Sequence, residues 1–332
     1  MQVGVSGATR TVELEPLTRA GPRNGDSMSI DLAIAQFRPT KGDTEATLAD
    51  VREILARADV LEPRPQVVVF PETALTGYFL EGGVREEAIS AESLFKRLCA
   101  HYAEVSEAPL DIAIGFYELR ERKIYNSAFY AELGGDDPRI LHVHRKAFLP
   151  TYGVFQEERF VEAGAGIAAF DTRIGRVALL ICEEAFHSIS GTVAALDGAE
   201  LMLVLSASPA RGAEPGPGMP GSLARWDLLG SGLAGEHGVF VVVSQLAGFE
   251  GGKGFAGGSA AYSPRGNRIA RGPVWADGLI PLRIDLEDVI AARAEEPLLA
   301  DLERMWMRLL INSPGARISA PDPDSGGEER NG

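Results

Sequence analysis

Cys99 and Cys182 are the only cysteines in 332 residues, too few for a disulfide framework and without the spacing of a zinc site. A reducing, cytoplasmic setting is the expectation. Basic charge is also scarce. With 47 acidic residues against 32 basic ones the formal charge is −15, which argues against nucleic acid or an anionic membrane as partner, since both need clustered Lys and Arg. No apolar run approaches the roughly 18 residues of a membrane span, and residues 1–27 lack the apolar stretch of a secretory signal. The glycine-rich Gly251-Gly-Lys-Gly-Phe-Ala-Gly-Gly-Ser259 lacks the Walker spacing and the helix that should follow it, so a tight loop or hairpin is expected instead of a phosphate cradle.

Hydrophobic residues make up 45% of the chain, enough for a large core. Asp31 to Phe37 reads as a first strand, and Asp43 to Ala58 as an amphipathic helix with Leu48, Val51, Ile54 and Leu55 near helical spacing. Residues 84–105 read as a second helix, with Cys99 among Phe95, Leu98 and Tyr102 as a core residue. Strands are expected over 110–116, 125–133, 140–146, 200–206 and 239–243, and helices over 189–196, 226–236 and within 285–311. This alternation predicts a mixed α/β sandwich. Residues 207–221 are too rich in Gly and Pro for regular structure and read as either a disordered loop or a lid. Residues 1–27 read as a flexible extension, with Met28 as an alternative start, and 313–332 as a disordered tail.

Three strand ends carry chemistry. Gln66-Val-Val-Val-Phe-Pro-Glu72 ends in a carboxylate, Ile140-Leu-His-Val-His-Arg-Lys146 in an amine, and Val177 to Ile181 leads into Cys182. In open α/β architectures ligands gather beyond the carboxyl ends of strands. A cysteine at a strand–turn–helix junction would point its sulfur at the helix amide end, where a thiolate is favoured. The same cysteine could equally be a small buried hydrophobe. Together, a carboxylate, an ammonium and a thiol suit hydrolysis of a carbon–nitrogen bond: the carboxylate takes the thiol proton and returns it to the leaving amine. His142 and His144 share one strand face but have no visible third ligand, so no metal or other cofactor is expected. A Cys-His mechanism through His187 is the weaker alternative.

These motifs resemble those of the nitrilase superfamily of carbon–nitrogen hydrolases. The resemblance rests on Phe70-Pro-Glu-Thr-Ala-Leu-Thr-Gly-Tyr78, on Arg145-Lys146 followed by Leu149-Pro-Thr-Tyr-Gly-Val-Phe-Gln-Glu157-Glu-Arg159, and on Ile181-Cys-Glu183. It runs from about Ile30 to about Leu310 and implies a four-layer α-β-β-α sandwich, with 28–312 as the hydrolase domain. It further implies Cys182 as nucleophile, Glu72 as general base and Lys146 as oxyanion stabiliser, helped by the Glu183 backbone N–H. Either Glu157 or Glu158 would be a second, positioning glutamate, with the motif favouring Glu157.

Within the superfamily the sequence is most similar in texture to the glutaminase domains of glutamine-dependent NAD synthetases. By that likeness Tyr152, Glu183 and Phe186 would line the acyl pocket. The tryptophan that nitrilases place after the cysteine is replaced by Glu183, and the Arg-Phe-Pro of carbamoyl hydrolases by Ala185-Phe186-His187. No Ser-Gly-Gly-x-Asp-Ser pyrophosphatase loop follows. The expectation is an amidase acting on a small-molecule amide, either free-standing or supplying ammonia to a separate synthetase partner, and forming a homo-oligomer. An N-carbamoyl hydrolase or a nitrilase is the alternative within this chemistry, and a catalytically silent binding subunit the alternative outside it.

Overall fold

Strand β1 (Ser29–Gln36) sorts its side chains between two cores. Ile30, Leu32 and Ile34 enter one, and Ala33 and Ala35 the other, as the two-residue period of a strand requires. The computed structural model describes residues 28–212 and 219–312; the expected extension at 1–27, the tail at 313–332 and part of the 207–221 loop lie outside the described residues. The remaining strands are β2 (Val67–Val69), β3 (Leu110–Arg120), β4 (Lys123–Leu133), β5 (Arg139–Arg145), β6 (Ala169–Thr172), β7 (Gly175–Ile181), β8 (Leu201–Ser206), β9 (Phe240–Gln245), β10 (Ala247–Glu250), β11 (Lys253–Ala256), β12 (Ala260–Tyr262), β13 (Arg268–Arg271) and β14 (Gly278–Asp285).

Two six-stranded sheets result, ordered β14-β1-β2-β3-β4-β5 and β13-β12-β9-β8-β7-β6. Counted from β14 and from β6, both run antiparallel, parallel, parallel, antiparallel, antiparallel. The parallel steps need helical crossovers. Helices α1 (Thr44–Asp59), α2 (Val84–Glu87) and α3 (Ala91–Ala103) supply them in the first sheet, and α4 (Ser188–Leu196) and α5 (Gly221–His237) in the second. Helices α6 (Glu287–Glu295) and α7 (Leu298–Asn312) close the described chain. Val68 packs into the core beneath α1 and α3, while Val67 and Val69 enter the core between the sheets. The layers are therefore helix, sheet, sheet, helix, the α/β sandwich expected. No helix among the described residues is long and apolar enough to cross a membrane.

One expectation is corrected. The helix expected over 84–105 is broken after α2, because Ile89 bridges to Glu118 and the Ser90 hydroxyl accepts the Ser93 N–H at 3.2 Å, capping α3. The strand–turn–helix expected at Cys182 is present. Residues Cys182–Phe186 form a 3-10 turn, and α4 starts at Ser188. The glycine-rich stretch is the expected hairpin, with Gly251 and Gly252 turning β10 into β11. The loop after β8 is tied to this hairpin, since the Ala210 N–H donates to the Gly254 carbonyl at 2.7 Å.

Candidate active site

β2 ends in the turn Phe70-Pro71-Glu72, and this turn leans directly on β3. A Cβ on Gly115 would stand 2.7 Å from the Glu72 Cα and 2.7 Å from the Pro71 carbonyl oxygen, so only glycine admits the approach. Thr73, the next residue, sits at φ 46°, in the left-handed region. Lys146 directly follows β5, where a Cβ on Gly164 would fall 2.0 Å from the Arg145 carbonyl oxygen. Cys182 directly follows β7 and also has φ 46°, a conformation that costs a non-glycine residue about 1–3 kcal/mol and is held by its surroundings. The first two residues hang from one sheet and the cysteine from the other. The site lies at the seam between them.

Lys146 Nζ stands between two carboxylates, 2.8 Å from Oε1 of Glu72 and 2.7 Å from Oε1 of Glu157, and none of the three side chains is more than 6% exposed. Such burial is tolerable only when the remaining polar atoms are also engaged. Asn126 Nδ2 donates to Oε1 of Glu72 at 2.8 Å, and the Ala207 N–H donates to Oε2 at 2.8 Å. The Tyr78 hydroxyl donates to Oε1 of Glu157, and the Tyr117 hydroxyl fixes the Tyr78 carbonyl at 3.0 Å. Oε2 of Glu157 is buried without a hydrogen-bond partner among the described residues.

Burial alone would drive the Lys146 pKa down, but Glu157 and Glu72 more than reverse this, so the amine stays protonated. Burial raises Glu157 above the ordinary glutamate range, against the pull of Lys146. The Cys182 thiol is pushed up by burial and then by the charge of Glu72, while Lys146 and the Ser206 hydroxyl pull the other way. This corrects the expectation of a thiolate at a helix terminus: the resting group is a thiol whose nearby charges include both a proton acceptor and a cation.

Glu72, Lys146, Glu157 and Cys182 therefore converge, whereas Glu158 is exposed. Tyr152 and Glu183 also meet, the tyrosine hydroxyl donating to Oε2 of Glu183 at 2.7 Å, and the bond to Glu183 contributes with burial to pushing that hydroxyl up to about 12. Phe186 packs against Trp226 of α5, ring centroids 4.9 Å apart, with Arg225 over its face. The Arg211 guanidinium lies 5.1 Å from the Phe155 ring centroid, beside Gly153. His144 is bonded to Glu184 at 2.7 Å and His142 is stacked on Phe170, so the two histidines have separate partners; His187 is stacked on Phe148. Among the described residues no three His, Cys, Asp or Glu side chains stand together as a metal site.

Several contributors were not singled out from sequence. Asn126 is a buried amide in β4, a residue type strands disfavour, and that mismatch is a readable signal. Glu184 joins the two sheets: Oε1 accepts the Ala147 N–H and Oε2 the Ile181 N–H, each at 2.7 Å, which ties the residue after Lys146 to the residue before Cys182. Nothing local distinguishes it from Glu183. The Ala207 N–H is backbone and leaves no side-chain signature.

A family model for carbon–nitrogen hydrolases matches residues 31–294. A glutamine-dependent NAD(+) synthetase of Thermotoga maritima is 28% identical over 270 residues, covering 81% of this chain and 44% of that protein; the chain thus spans less than half of that relative's length. A probable nitrilase of Schizosaccharomyces pombe is 24% identical over 266 residues, covering 79% of this chain and 90% of that protein. Among solved structures, a carbon–nitrogen hydrolase from Helicobacter pylori superposes with a TM-score of 0.74 at 21% identity, covering 86% of this chain and 99% of its own. Sandwich, seam and family match agree, and the chain belongs to the carbon–nitrogen hydrolase family.

Proposed function

We propose that this chain is an amidase that cleaves the side-chain amide of a glutamine-like amino acid through a thioester on Cys182. The observation that carries the reading is the buried Lys146 held between Glu72 and Glu157 beside a strained cysteine. In the first half-reaction Glu72 takes the thiol proton as sulfur attacks the amide carbon. The carbonyl oxygen gains the negative charge, which Lys146 and the Glu183 N–H balance. The carbon–nitrogen bond then breaks, the Glu72 proton passes to nitrogen, and ammonia leaves. In the second half-reaction Glu72 deprotonates water, hydroxide attacks the thioester, and sulfur departs and recovers that proton from Glu72, which restores the resting carboxylate and thiol. Glu157 acts on Lys146 and so positions it.

The substrate class rests on the rim. Tyr152 and Glu183 present a hydroxyl and a carboxylate, and Arg211, from the loop after β8, lays a cation over Phe155 of the Tyr152–Phe155 turn. A carboxylate and a guanidinium brought to opposite ends of one turn suit the ammonium and carboxylate of a free amino acid. Ammonia released here would go to a separate synthetase, a role consistent with similarity to part of the Thermotoga protein. Homo-oligomerisation would use α4 and α5, which expose Ile189, Val193 and Leu228.

The test is ammonia release from glutamine, asparagine, aliphatic amides, carbamoyl amino acids and nitriles, with Cys182→Ala as the blank. Turnover of glutamine that disappears in the variant is the expected result. Turnover of carbamoyl compounds or nitriles alone would overturn the substrate class, and no turnover of any compound would favour a silent binding subunit.

A further inference from the structure

We propose that Ser206 is a further catalytic residue, its hydroxyl donating a hydrogen bond that holds the Cys182 sulfur as a thiolate when the proton leaves. The inference rests on the nucleophile reading above and concerns how the charge on sulfur is borne.

β8 is Leu201-Met-Leu-Val-Leu-Ser206, five apolar residues and one hydroxyl, and Ser206 is completely buried. β8 pairs in parallel with β7, Leu205 opposite Ile181, so Ser206 comes level with Cys182. Its Oγ stands 3.4 Å from Sγ with the hydroxyl as donor. The Ser206 carbonyl accepts the Leu246 N–H at 3.0 Å, which fixes the strand end from the far side. The next residue, Ala207, gives its N–H to Oε2 of Glu72 at 2.8 Å. One strand end thus touches both the proton donor and the proton acceptor.

That placement has a chemical consequence. A neutral thiol is a weak acceptor, so the Ser206 bond contributes little at rest. As the proton passes to Glu72, and before the new bond to carbon is complete, negative charge builds on sulfur and the same bond becomes charge-assisted. It therefore strengthens as the reaction proceeds, which is the condition for lowering a barrier. The charge of Lys146 also acts on the sulfur, but its ammonium is already shared between two carboxylates. Among the described residues the Ser206 hydroxyl bonds the sulfur and no charged group.

Alkylation of the full chain by iodoacetamide, followed residue by residue by mass spectrometry across pH 6–10, tests this without knowledge of the substrate. Cys99, whose thiol burial also raises, is the internal control. The expected result is that Ser206→Ala slows Cys182 about tenfold near neutral pH and moves its profile about one unit upward. Cys99 labelling should be unchanged, and Ser206→Thr, which restores a hydroxyl, should recover most of the loss. A Cys182 profile in Ser206→Ala that superposes on the wild type, with thermal unfolding unchanged, would overturn the role of Ser206 while leaving the nucleophile in place. Ammonia release from the substrate panel that persists in Cys182→Ala would overturn the nucleophile reading, and this inference with it.

Discussion

The two sheets have the same wiring, yet equivalent strands end differently. β1 ends at Gln36, whose buried amide accepts the Ser259 N–H at 2.8 Å and donates to the carbonyls of Pro273 and Ala276 at 2.7 and 2.6 Å. β7, its counterpart, delivers Cys182 in a left-handed conformation, its sulfur accepting from the Ser206 hydroxyl. β2 ends toward Glu72, a charge, and its counterpart β8 ends at Ser206-Ala207, two small donors that serve Cys182 and Glu72. A strand end saturated with neutral hydrogen bonds is a structural joint. One left strained and next to buried charge is where reactivity can be placed.

The largest way to break this contrast is Lys146→Ala. It leaves Glu72 and Glu157 buried without their cation, so unfolding free energy should fall by about 3–5 kcal/mol and turnover by a factor of about 10⁴. Denaturant melts and ammonia release measure the two effects. Gly115→Ala is next. The new methyl must displace the Glu72 turn, and a misplacement of about 1 Å costs roughly 100-fold in turnover. Gln36→Ala sharpens the comparison from the other side: stability should drop by about 1–3 kcal/mol, while turnover per folded molecule stays at the wild-type level.

The smallest effect concerns pH. His142, on β5, stacks on Phe170 of β6 where the sheets meet, and burial lowers its pKa from 6.5 to about 4. Between those values the unfolded chain binds a proton that the folded chain refuses, so stability is lost as pH falls from 6.5 toward 4. His142→Phe should remove that loss, about 1 kcal/mol after allowance for partial exposure, as read from melting temperatures at pH 7 and pH 4.5.

Much of this was legible in the chain. Glu72, Lys146 and Cys182 stand out because each follows a short strand-like run, and the apolar runs of β1 and β3 announce buried strands. What could not be read was partnership. Periodicity says which face of a strand is apolar but not which sheet takes the strand, so the seam that separates Cys182 from Glu72 and Lys146 was invisible. The break between α2 and α3 was hidden because Ile89 fits an amphipathic helix as well as it fits a bridge to Glu118. Ser206 looked like the polar end of an apolar strand, and only the register of β8 on β7 brings it to the sulfur.

The most direct test of the central claim is rapid quenching of the wild-type chain during glutamine turnover, followed by mass analysis of the Cys182 peptide. The account predicts a labile adduct on Cys182 equal in mass to the substrate less ammonia, appearing with ammonia release and absent from Cys182→Ala together with that release. Ammonia release that persists in Cys182→Ala would contradict it.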